Sequence, residues 1–525
     1  MQLSGLAPGD WVTLNARSAP DTECLVSAEG EVRTFTEVDG RVTRLVRALR
    51  TLGVGRGDRV AIMATDSCDY VEVVLACMKL GATYVALNFR LAPAEVRTVL
   101  GASQAKVVFL SGRYEEAIEG CFPEAAAHVR ARITFDTSAD GLPSYEEFLA
   151  SGPDGGEIES VTGDDDILSI SFTSGTTGTP KGVMQSQRMI KAITGSGVAE
   201  LGIRPGDLLM SGAPLFHAGG IGHVFYGVSR GAGSVVLPQW DVDLGLRWLQ
   251  SGRVRQAMLV PSMIIQLLAH PRVRATRYPR LRSIMYGGAP MPPSVIREMA
   301  EVFDCDLHNG FGAGTEAGGQ LVLRPEDHRR ALAGEEWLLG SIGRPAYGCD
   351  VRLLGPDGLE VPDGEVGEIA SRGDTVMSGY LGQPELTTRV VRDGWFRAGD
   401  LAWKDTEGYF HLAGRADDMI VRGGENVYPV EIEDVAGDHP RIAEIAIVGE
   451  PDHHWGQVVT AVVTLKDGHR DGGLTAAELR AHCRGRLAAY KIPTRVVVVD
   501  DMPRNSTGKI HKAVLREWLA QGVIA

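Results

Sequence analysis

The sequence predicts an α/β fold, with a large N-terminal body of helix-covered sheets followed by a small α+β C-terminal domain. At 525 residues the chain is longer than one hydrophobic core usually organises, which predicts at least two domains. Strand-like and helix-like segments alternate through the first part, as is typical of parallel sheets covered by helices. After Gly414 the pattern changes to a short, self-contained run of helices and strands. We therefore divide the chain into residues 1–413 and 414–525.

An early helix is indicated by four apolar residues on one helical face: Val42, Leu45, Val46 and Leu49. Thr36 and Asp39 offer a cap for its start, and Gly53 offers a stop. The later elements of the body alternate: strands 59–63, 83–87, 256–260 and 282–286, and helices 70–80, 261–270 and 293–303. The C-terminal domain is expected to contain helices 429–436 and 476–487 and strands 443–448, 458–465 and 495–499.

Composition indicates an ordinary globular protein and excludes several classes. Apolar residues make up 44% and charged residues 23% of the chain. A formal net charge of −14 argues against a nucleic-acid-binding protein, which usually carries a basic face. Seven scattered cysteines without a CxxC pair indicate reduced thiols and neither a disulfide framework nor a zinc site. Without a secretion signal or an apolar stretch that could span a bilayer, we expect a cytoplasmic protein with no transmembrane segment.

The segment SFTSGTTGTPKGV, residues 171–183, is rich in glycine and hydroxyl side chains and follows a strand-like stretch. The P-loop of nucleotide hydrolases requires G-x-x-x-x-G-K-[ST], with the last hydroxyl on magnesium. Here 175–182 reads GTTGTPKG, so Pro180 replaces the second glycine and Gly182 replaces that hydroxyl. The hydrolase interpretation therefore fails, although glycine-freed amides flanked by hydroxyls suit phosphate oxygens. On composition alone, a flexible surface loop is the alternative.

Further segments along the chain indicate which protein family the phosphate loop belongs to. They are PLFHAGG (214–220), GGAP (287–290), GTEAGG (314–319), WFRAGDLA (395–402), GRADDMIVRGGENVYPVEIE (414–433) and PRNSTGKI (503–510). With TSGTTGTPKGV (173–183), they resemble, in order, the motifs of the adenylate-forming enzymes: acyl-CoA synthetases, adenylation domains of peptide synthetases, and luciferases. Residues 57–90 are similar to the family's first subdomain, and GGENVYPVEIE is most similar to fatty-acid and aryl-acid CoA ligases.

The resemblance implies a two-step reaction. A carboxylic acid attacks the α-phosphate of ATP, pyrophosphate leaves, and the thiol of CoA then takes the acyl group from the acyl-adenylate as AMP leaves. It implies ATP, Mg²⁺ and CoA as cofactors and substrates. It also implies that the C-terminal domain moves as a lid, with its hinge near Asp417.

The resemblance also assigns roles to residues of the nucleotide site. The phosphates would lie on the loop: Thr173, Ser174, Gly175, Thr176, Thr177, Gly178 and Lys181. Thr315 would bond the α-phosphate, and Glu316 would hold Mg²⁺, a hard cation that prefers oxygen ligands. Asp400 would accept hydrogen bonds from the ribose hydroxyls with help from Arg415. Lys509 would bridge the carboxylate and α-phosphate oxygens.

The remaining assignments concern adenine, the acyl group and CoA. The adenine site would include Gly288, Ala289, Pro290, Gly310, Phe311 and Gly312. The acyl pocket would include His217, Phe216, Phe225, Tyr226 and Gly287, with Met285 as a further lining residue. The CoA tunnel would include Gly423, Gly424, Glu425 and Trp455. Each of these residues also has an ordinary structural interpretation: a turn residue, a surface ion pair, a solvated lysine, a structural histidine or an aromatic core residue.

Two departures from the family pattern stand out. The family's Tyr-Gly-x-Thr-Glu is replaced by FGAGTE, so counting back from Thr315 puts Gly312 at the tyrosine. A one-residue insertion would let Phe311 take that place, and we favour Phe311. After the phosphate loop, Gln185, Ser186 and Gln187 replace a histidine-rich segment, for which the sequence gives no explanation.

The sequence leaves alternatives open. HVFYGVSRG (223–231) lacks the acid that binds an amino group in peptide-synthetase domains, which disfavours an amino-acid substrate. An acyl-AMP ligase that loads a carrier protein and a non-catalytic adenylate-binding protein remain alternatives to a CoA ligase. The identity of the acid is left open, as is the oligomeric state, for which a homodimer is one option.

Overall fold

The computed structural model describes residues 6–122, 124–136, 141–173, 180–423, 425–466, 473–504 and 510–524. The chain separates into two compact units. The first contains Met1–Val351 and Ser371–Phe396, and the second contains Arg352–Ala370 and Arg397–Ala525. The boundary between the packing units therefore lies before residue 413. The division at 413/414 is a different boundary, that of the segment expected to move as a lid, and it stays a prediction.

The strands, in chain order, are β1 Glu23–Ser27, β2 Val32–Thr34, β3 Arg59–Met63, β4 Thr83–Ala86, β5 Val107–Leu110, β6 Ala131–Thr134, β7 Ile167–Thr173, β8 Lys181–Ser186, β9 Leu208–Ser211, β10 Gly233–Val236, β11 Gln256–Leu259, β12 Ser283–Gly287, β13 Asp306–Phe311, β14 Leu321–Leu323, β15 Arg344–Pro345, β16 Asp350–Leu354, β17 Gly367–Arg372, β18 Gly379–Tyr380, β19 Val391–Arg392, β20 Trp395–Lys404, β21 Phe410–Arg415, β22 Ile420–Arg422, β23 Glu425–Val427, β24 Ile442–Asp452, β25 Gly456–Leu465 and β26 Arg495–Val498.

The α-helices are α1 Trp11–Ser18, α2 Phe35–Thr51, α3 Cys68–Leu80, α4 Pro93–Ser103, α5 Glu115–Glu119, α6 Tyr145–Ala150, α7 Gln187–Leu201, α8 Ala218–Arg230, α9 Val242–Gln250, α10 Pro261–Ala269, α11 Pro293–Phe303, α12 Pro325–Leu332, α13 Pro384–Val390, α14 Pro429–Gly437, α15 Ala476–Cys483 and α16 Lys512–Ala520. In the part of the chain that the structure describes, no helix is both long enough and apolar enough to cross a membrane.

Two sheets form the first unit. Within the described ranges, one has the strand order β15-β14-β13-β12-β11-β9-β10-β1-β2 and the other has the order β18-β8-β7-β4-β3-β5-β6. Their inner strands pair in parallel, as the alternation of strands and helices predicts, and antiparallel strands lie toward the edges. One buried cluster includes Leu25 of β1, Ile62 of β3 and Phe225 of α8. The two sheets therefore share a core.

Helices α2 and α3 show how the sequence builds that core. The four apolar residues predicted to share a face of α2 are all buried. Its cap differs from the prediction, because Thr34 accepts a hydrogen bond from the Glu37 backbone and Glu37 reaches back to Thr34. This capping box satisfies two backbone donors at once. Helix α3 is buried along almost its whole length, and its buried charged residues Glu72 and Lys79 are paired with Arg33 and Asp10.

The second unit has its own smaller core. Five of its described strands form one sheet, of order β23-β22-β25-β24 with β26 parallel to β25. Ile432 of α14, Leu479 of α15 and Val463 of β25 are buried in one cluster, and Leu515 of α16 packs in a neighbouring one. Strands β20 and β21 form an antiparallel hairpin that pairs Asp400 with Arg415. The predicted large α/β body and small α+β C-terminal domain are confirmed.

Candidate active site

The phosphate loop closes a β-hairpin. Thr173 ends β7, Lys181 begins β8, and their Cα atoms are paired across the antiparallel ladder. Five of the predicted phosphate-binding residues lie outside the described residues: Ser174, Gly175, Thr176, Thr177 and Gly178. Because the two ends of the loop are held side by side, the loop emerges from a fixed base.

Tyr380 connects the lysine of this loop to the predicted magnesium ligand. The Lys181 ammonium nitrogen lies 5.7 Å from the centre of the Tyr380 ring, within the range of a cation–π interaction. The phenol oxygen of Tyr380 lies 3.5 Å from Oε1 of Glu316. Tyr380 is buried and belongs to β18, which pairs with β8. A cation near the ring and a carboxylate at the phenol oxygen thus both contact the side chain of Tyr380.

Gln185 fixes the loop that carries Thr315 and Glu316. Its side-chain Nε2 donates to the Thr315 backbone oxygen at 2.8 Å, and the side chain is buried. The other two residues that replace the histidine-rich segment have structural roles. Ser186 caps α7 by accepting from the Met189 backbone, and the Gln187 side chain contacts Thr162. Gln185 therefore joins the phosphate-loop hairpin to the magnesium loop.

The two glycines of GGAP are favoured for different structural reasons. A Cβ on Gly287 would overlap the carbonyl oxygen of Gly310 on the neighbouring strand β13, so close strand packing already requires this glycine. Gly288 has φ +84°, in the left-handed region that favours glycine, and a Cβ there would meet nothing. Ala289 and Pro290 are exposed beside it. The surface next to Gly288 is therefore open to a ligand such as adenine.

The residues in the place of the family's tyrosine lie at the end of β13. Phe311 is its last residue, is half-buried and pairs with Leu321 of β14. A Cβ on Gly312 would overlap the carbonyl oxygen of Gly318, so that position has no room for a side chain. Of the two positions that could replace the family's tyrosine, only that of Phe311 therefore carries an aromatic ring, and its contact with adenine stays a prediction.

The predicted acyl-pocket residues divide into two groups. His217 is the residue before α8, and Phe216 packs edge-on against Phe89 with ring centres 5.1 Å apart. Burial, reinforced by the charge of Arg90, lowers the pKa of His217 to about 4, so its imidazole is neutral at neutral pH. Phe225 faces Trp11 in the core at 6.4 Å. These three side chains pack among other aromatic or core residues.

Tyr226 belongs to the second group, because it lines a cavity together with Met285. A Cβ on Gly197 of α7 would overlap the Tyr226 ring, so this glycine lets the ring lie against α7. Tyr226 and Met285 therefore line a space that an acyl group could enter. For the other predicted residues, the acyl-pocket assignment rests on the sequence alone.

The second unit holds the predicted ribose and CoA residues. Nη1 of Arg415 lies 3.0 Å from Oδ1 of Asp400, which is mostly buried. Asp417 is exposed in a 3₁₀ turn between β21 and β22, whereas its neighbour Asp418 is paired with Arg516 at 3.0 Å. Lys509 and Gly424 lie outside the described residues.

Gly423 and Trp455 are in direct contact. The Gly423 backbone nitrogen donates to the Trp455 carbonyl at 2.8 Å, and a Cβ on Gly423 would lie 2.9 Å from the indole. Trp455 is 47% exposed, and the Arg422 guanidinium lies 5.7 Å from its ring centre. Glu425 is exposed on β23, and its Cα lies opposite that of Arg422 in the antiparallel ladder of β22 and β23. This is a flat aromatic surface with a cation beside it.

Two family models match the chain. The AMP-binding enzyme model matches residues 12–381, and the AMP-binding enzyme C-terminal domain model matches residues 431–509. The chain therefore belongs to the AMP-binding enzymes, the adenylate-forming superfamily, as its motifs indicate.

Relatives of known activity match almost end to end. The feruloyl-CoA synthase of Amycolatopsis sp is 36% identical over 511 residues, 97% of this chain and 98% of that protein. The indoleacetate–CoA ligase of Aromatoleum aromaticum is 34% identical over 515 residues, 98% of each. The structure of o-succinylbenzoate CoA synthetase from Bacillus subtilis with its acyl-adenylate intermediate has a TM-score of 0.83 at 30% identity, covering 97% of this chain and 98% of that one. The protein is an AMP-forming acyl-CoA ligase.

Sequence reasoning missed Tyr380 and left Gln185 unexplained. Both contacts join residues far apart in the chain, across 64 positions for Tyr380 and Glu316 and 130 for Gln185 and Thr315. For Gln185, the signal in the sequence is a large amide side chain that directly follows the apolar residues Val183 and Met184 of the same strand.

We expect Gln185→Leu to slow acyl-adenylate formation. The substitution leaves the Thr315 carbonyl without its donor, and an unpaired buried carbonyl costs about 1–3 kcal/mol, enough to let the loop leave its position. The measurement is acid-dependent pyrophosphate release, whose rate should fall about tenfold or more. Circular dichroism should show that the variant keeps its fold.

Gln187→Leu is the matched control, because it removes an equally buried amide two residues away that does not touch Thr315. It should lower thermal stability without a comparable loss of rate. Equal rate losses in both variants, or none in Gln185→Leu, would show that the Thr315 contact does not matter for the reaction.

Proposed function

We propose that this ligase activates a fatty or aromatic carboxylic acid with ATP as an acyl-adenylate and then transfers the acyl group to CoA. Pyrophosphate leaves in the first step and AMP in the second. The contact of both Lys181 and Glu316 with Tyr380, at its ring and at its phenol oxygen, carries the proposal. Adenylation needs a positive charge and a metal-binding carboxylate next to the phosphates, because negative charge gathers on their oxygens in the transition state.

The donor set fits Mg²⁺. This ion is usually bound by one or two carboxylates together with substrate phosphates and water, so a dedicated cage of protein ligands is not required. Glu316 supplies a partly buried carboxylate next to the loop that would hold the phosphates. When bound, Mg²⁺ would neutralise phosphate oxygens as pyrophosphate leaves.

The other residues would bind and orient the nucleotide and the acid. Lys181 would attract the departing phosphates, and Thr315 would bond the α-phosphate. Asp400 would accept hydrogen bonds from the ribose hydroxyls, with its carboxylate oriented by Arg415. Lys509 would place its charge between the carboxylate and the α-phosphate. Lysine suits this task because it is a compact charge on a flexible stem.

The surface at Trp455 supports CoA as the acceptor. CoA ends in a nucleotide, and an exposed indole flanked by Arg422 offers stacking to its adenine and charge to its phosphates. A carrier protein presents pantetheine without that nucleotide. The acyl-AMP ligase that loads a carrier protein is therefore the second candidate, and a non-catalytic adenylate-binding protein is the third.

The relatives keep both acid classes in the proposal, since the feruloyl-CoA synthase and the indoleacetate–CoA ligase are named for aromatic acids and a further relative, 33% identical, is named for long-chain fatty acids. We further propose a cytoplasmic enzyme whose residues 414–525 rotate about Asp417 between the two steps. Asp417 lies exposed in a 3₁₀ turn, whereas Asp418 next to it is held by Arg516, and this supports Asp417 as the position of the hinge. A homodimer remains one option for its assembly.

Lys509→Ala and Gly424→Leu should have opposite effects on the two half-reactions. Without the Lys509 charge, acyl-AMP formation should fall by a thousandfold or so, in the range expected for loss of a transition-state contact, while supplied acyl-AMP and CoA still react. A side chain at Gly424 should block the pantetheine path, so pyrophosphate is released and acyl-AMP accumulates. Each half-reaction is measured separately with purified protein.

Val421→Leu is a control for Gly424→Leu, because it enlarges a nearby exposed apolar side chain without entering the glycine turn. Its two half-reactions should match wild type. Loss of both half-reactions to the same extent in Lys509→Ala and in Gly424→Leu would contradict the two-step assignment.

Trp455→Ala should separate CoA from a carrier protein as acceptor. Base–aromatic stacking contributes about 1–3 kcal/mol, so the KM for CoA should rise about five- to a hundredfold. Pantetheine, which has no adenine, should react equally with wild type and variant. An unchanged KM for CoA, together with faster transfer to a pantetheinylated carrier protein, would instead favour the carrier-loading ligase.

A further inference from the structure

A cavity in the first unit lies between helices α7 and α8 and one face of the larger sheet. Ser196 of α7, Tyr226 of α8, Met285 of β12 and His308 of β13 line it, as does Thr375 from the segment before β18. The centre of a water molecule can reach about 30 Å³ of it, which is room for about two waters. The space suits a small chemical group and not a long chain.

The cavity lies beneath the two strands that carry the GGAP and FGAGTE motifs. Met285 and His308 are paired across β12 and β13, and two positions further on Gly287 and Gly310 are paired at the strand ends. Two residues of strand span about 7 Å. Ligands of parallel sheets bind at the carboxyl ends of the strands. A substrate entering there would reach this cavity with the end remote from its reacting carboxyl group.

Two buried polar atoms on the cavity wall lack a nitrogen or oxygen partner. Nδ1 of His308 and Oγ1 of Thr375 make no hydrogen bond to a nitrogen or oxygen atom of the residues that the structure describes, and only the weakly hydrogen-bonding thiol of Cys349 lies beside Thr375. His308 is 6% exposed and Thr375 is 3% exposed. Buried polar atoms are almost always hydrogen-bonded, so two on one cavity indicate a polar occupant.

Two ionisable side chains on the cavity wall, Glu200 and His308, are respectively paired and neutral. The Glu200 carboxylate accepts from Nε of Arg324 at 3.0 Å, from Nη2 of Arg324 at 2.7 Å and from the Tyr347 backbone at 2.9 Å. Burial, reinforced by His328 and Arg324, lowers the pKa of His308 to about 3, so its ring is neutral. An uncharged group that can hydrogen-bond matches this wall, whereas a second carboxylate does not.

We propose that the acid substrate carries a small, uncharged hydrogen-bonding group, such as a hydroxyl, at its end remote from the carboxyl, and that His308 and Thr375 bind this group. The proposal rests on the function proposed above and narrows its substrate class. A ring hydroxyl on an aromatic acid meets the requirement. A tail that ends in a methyl group does not, because it would displace water and leave both polar atoms unpaired.

The test compares pairs of acids that differ only in the terminal hydroxyl: 4-hydroxycinnamate with cinnamate, and 10-hydroxydecanoate with decanoate. Wild-type kcat/KM for acid-dependent pyrophosphate release should favour the hydroxylated member of at least one pair by about tenfold or more. Thr375→Val keeps the side-chain shape and removes the hydroxyl. It should reduce the preference about five- to tenfold by slowing only the hydroxylated acid, and His308→Leu should do the same.

Tyr286→Phe is the matched control. It removes a buried hydroxyl from the neighbouring position of β12 that bonds His328 at 2.8 Å and does not line the cavity. It should leave the preference unchanged. Equal wild-type rates for both members of every pair, or equal losses on both members in Thr375→Val and His308→Leu, would overturn the proposal.

The outcomes separate this inference from the proposed function. Pyrophosphate release with several acids but without a preference for the hydroxylated member would refute only the role of the cavity. No pyrophosphate release with any carboxylic acid would refute the proposed function itself. If a variant does not fold, the wild-type preference still decides, since its absence alone contradicts the proposal.

Discussion

The candidate active site of the first unit depends on strand β8, which pairs with β7 on one side and with β18 on the other. The first pairing holds Lys181 opposite Thr173 at the base of the phosphate loop. The second brings Tyr380 next to the same lysine, and Gln185 reaches from β8 to the backbone of Thr315. Three segments that lie far apart in sequence are thereby fixed to one strand, which is the preorganisation that electrostatic catalysis requires.

Much of the fold follows from local patterns. The strand expected at 59–63 and the helix expected at 293–303 are found with the same bounds. The face of α2 is also as predicted, whereas the cap expected at Thr36 and Asp39 is instead the Thr34–Glu37 box. The T-x-x-E pattern of a capping box is present in the sequence, so the cap is also predictable from a local signal.

The site was less predictable because its contacts are long-range. The motifs identify Lys181, Thr315 and Glu316, but no periodicity connects Gln185 to Thr315 or Tyr380 to Glu316. The explanation of the departure at FGAGTE is steric, since a side chain at Gly312 would overlap Gly318. Likewise, His308 looks like an ordinary strand residue until the structure shows its unpaired nitrogen on a cavity wall. Such features depend on which elements pack together, and that is set by the whole chain.

The most direct test of the account is acid-dependent exchange of labelled pyrophosphate into ATP, measured with Mg²⁺ and without CoA. Exchange requires that an acyl-adenylate forms reversibly on the enzyme before any thiol is present. The account predicts exchange that depends on a carboxylic acid, followed by AMP and thioester formation when CoA is added. Exchange without any acid, or none with any acid of an aromatic and aliphatic panel, would contradict it.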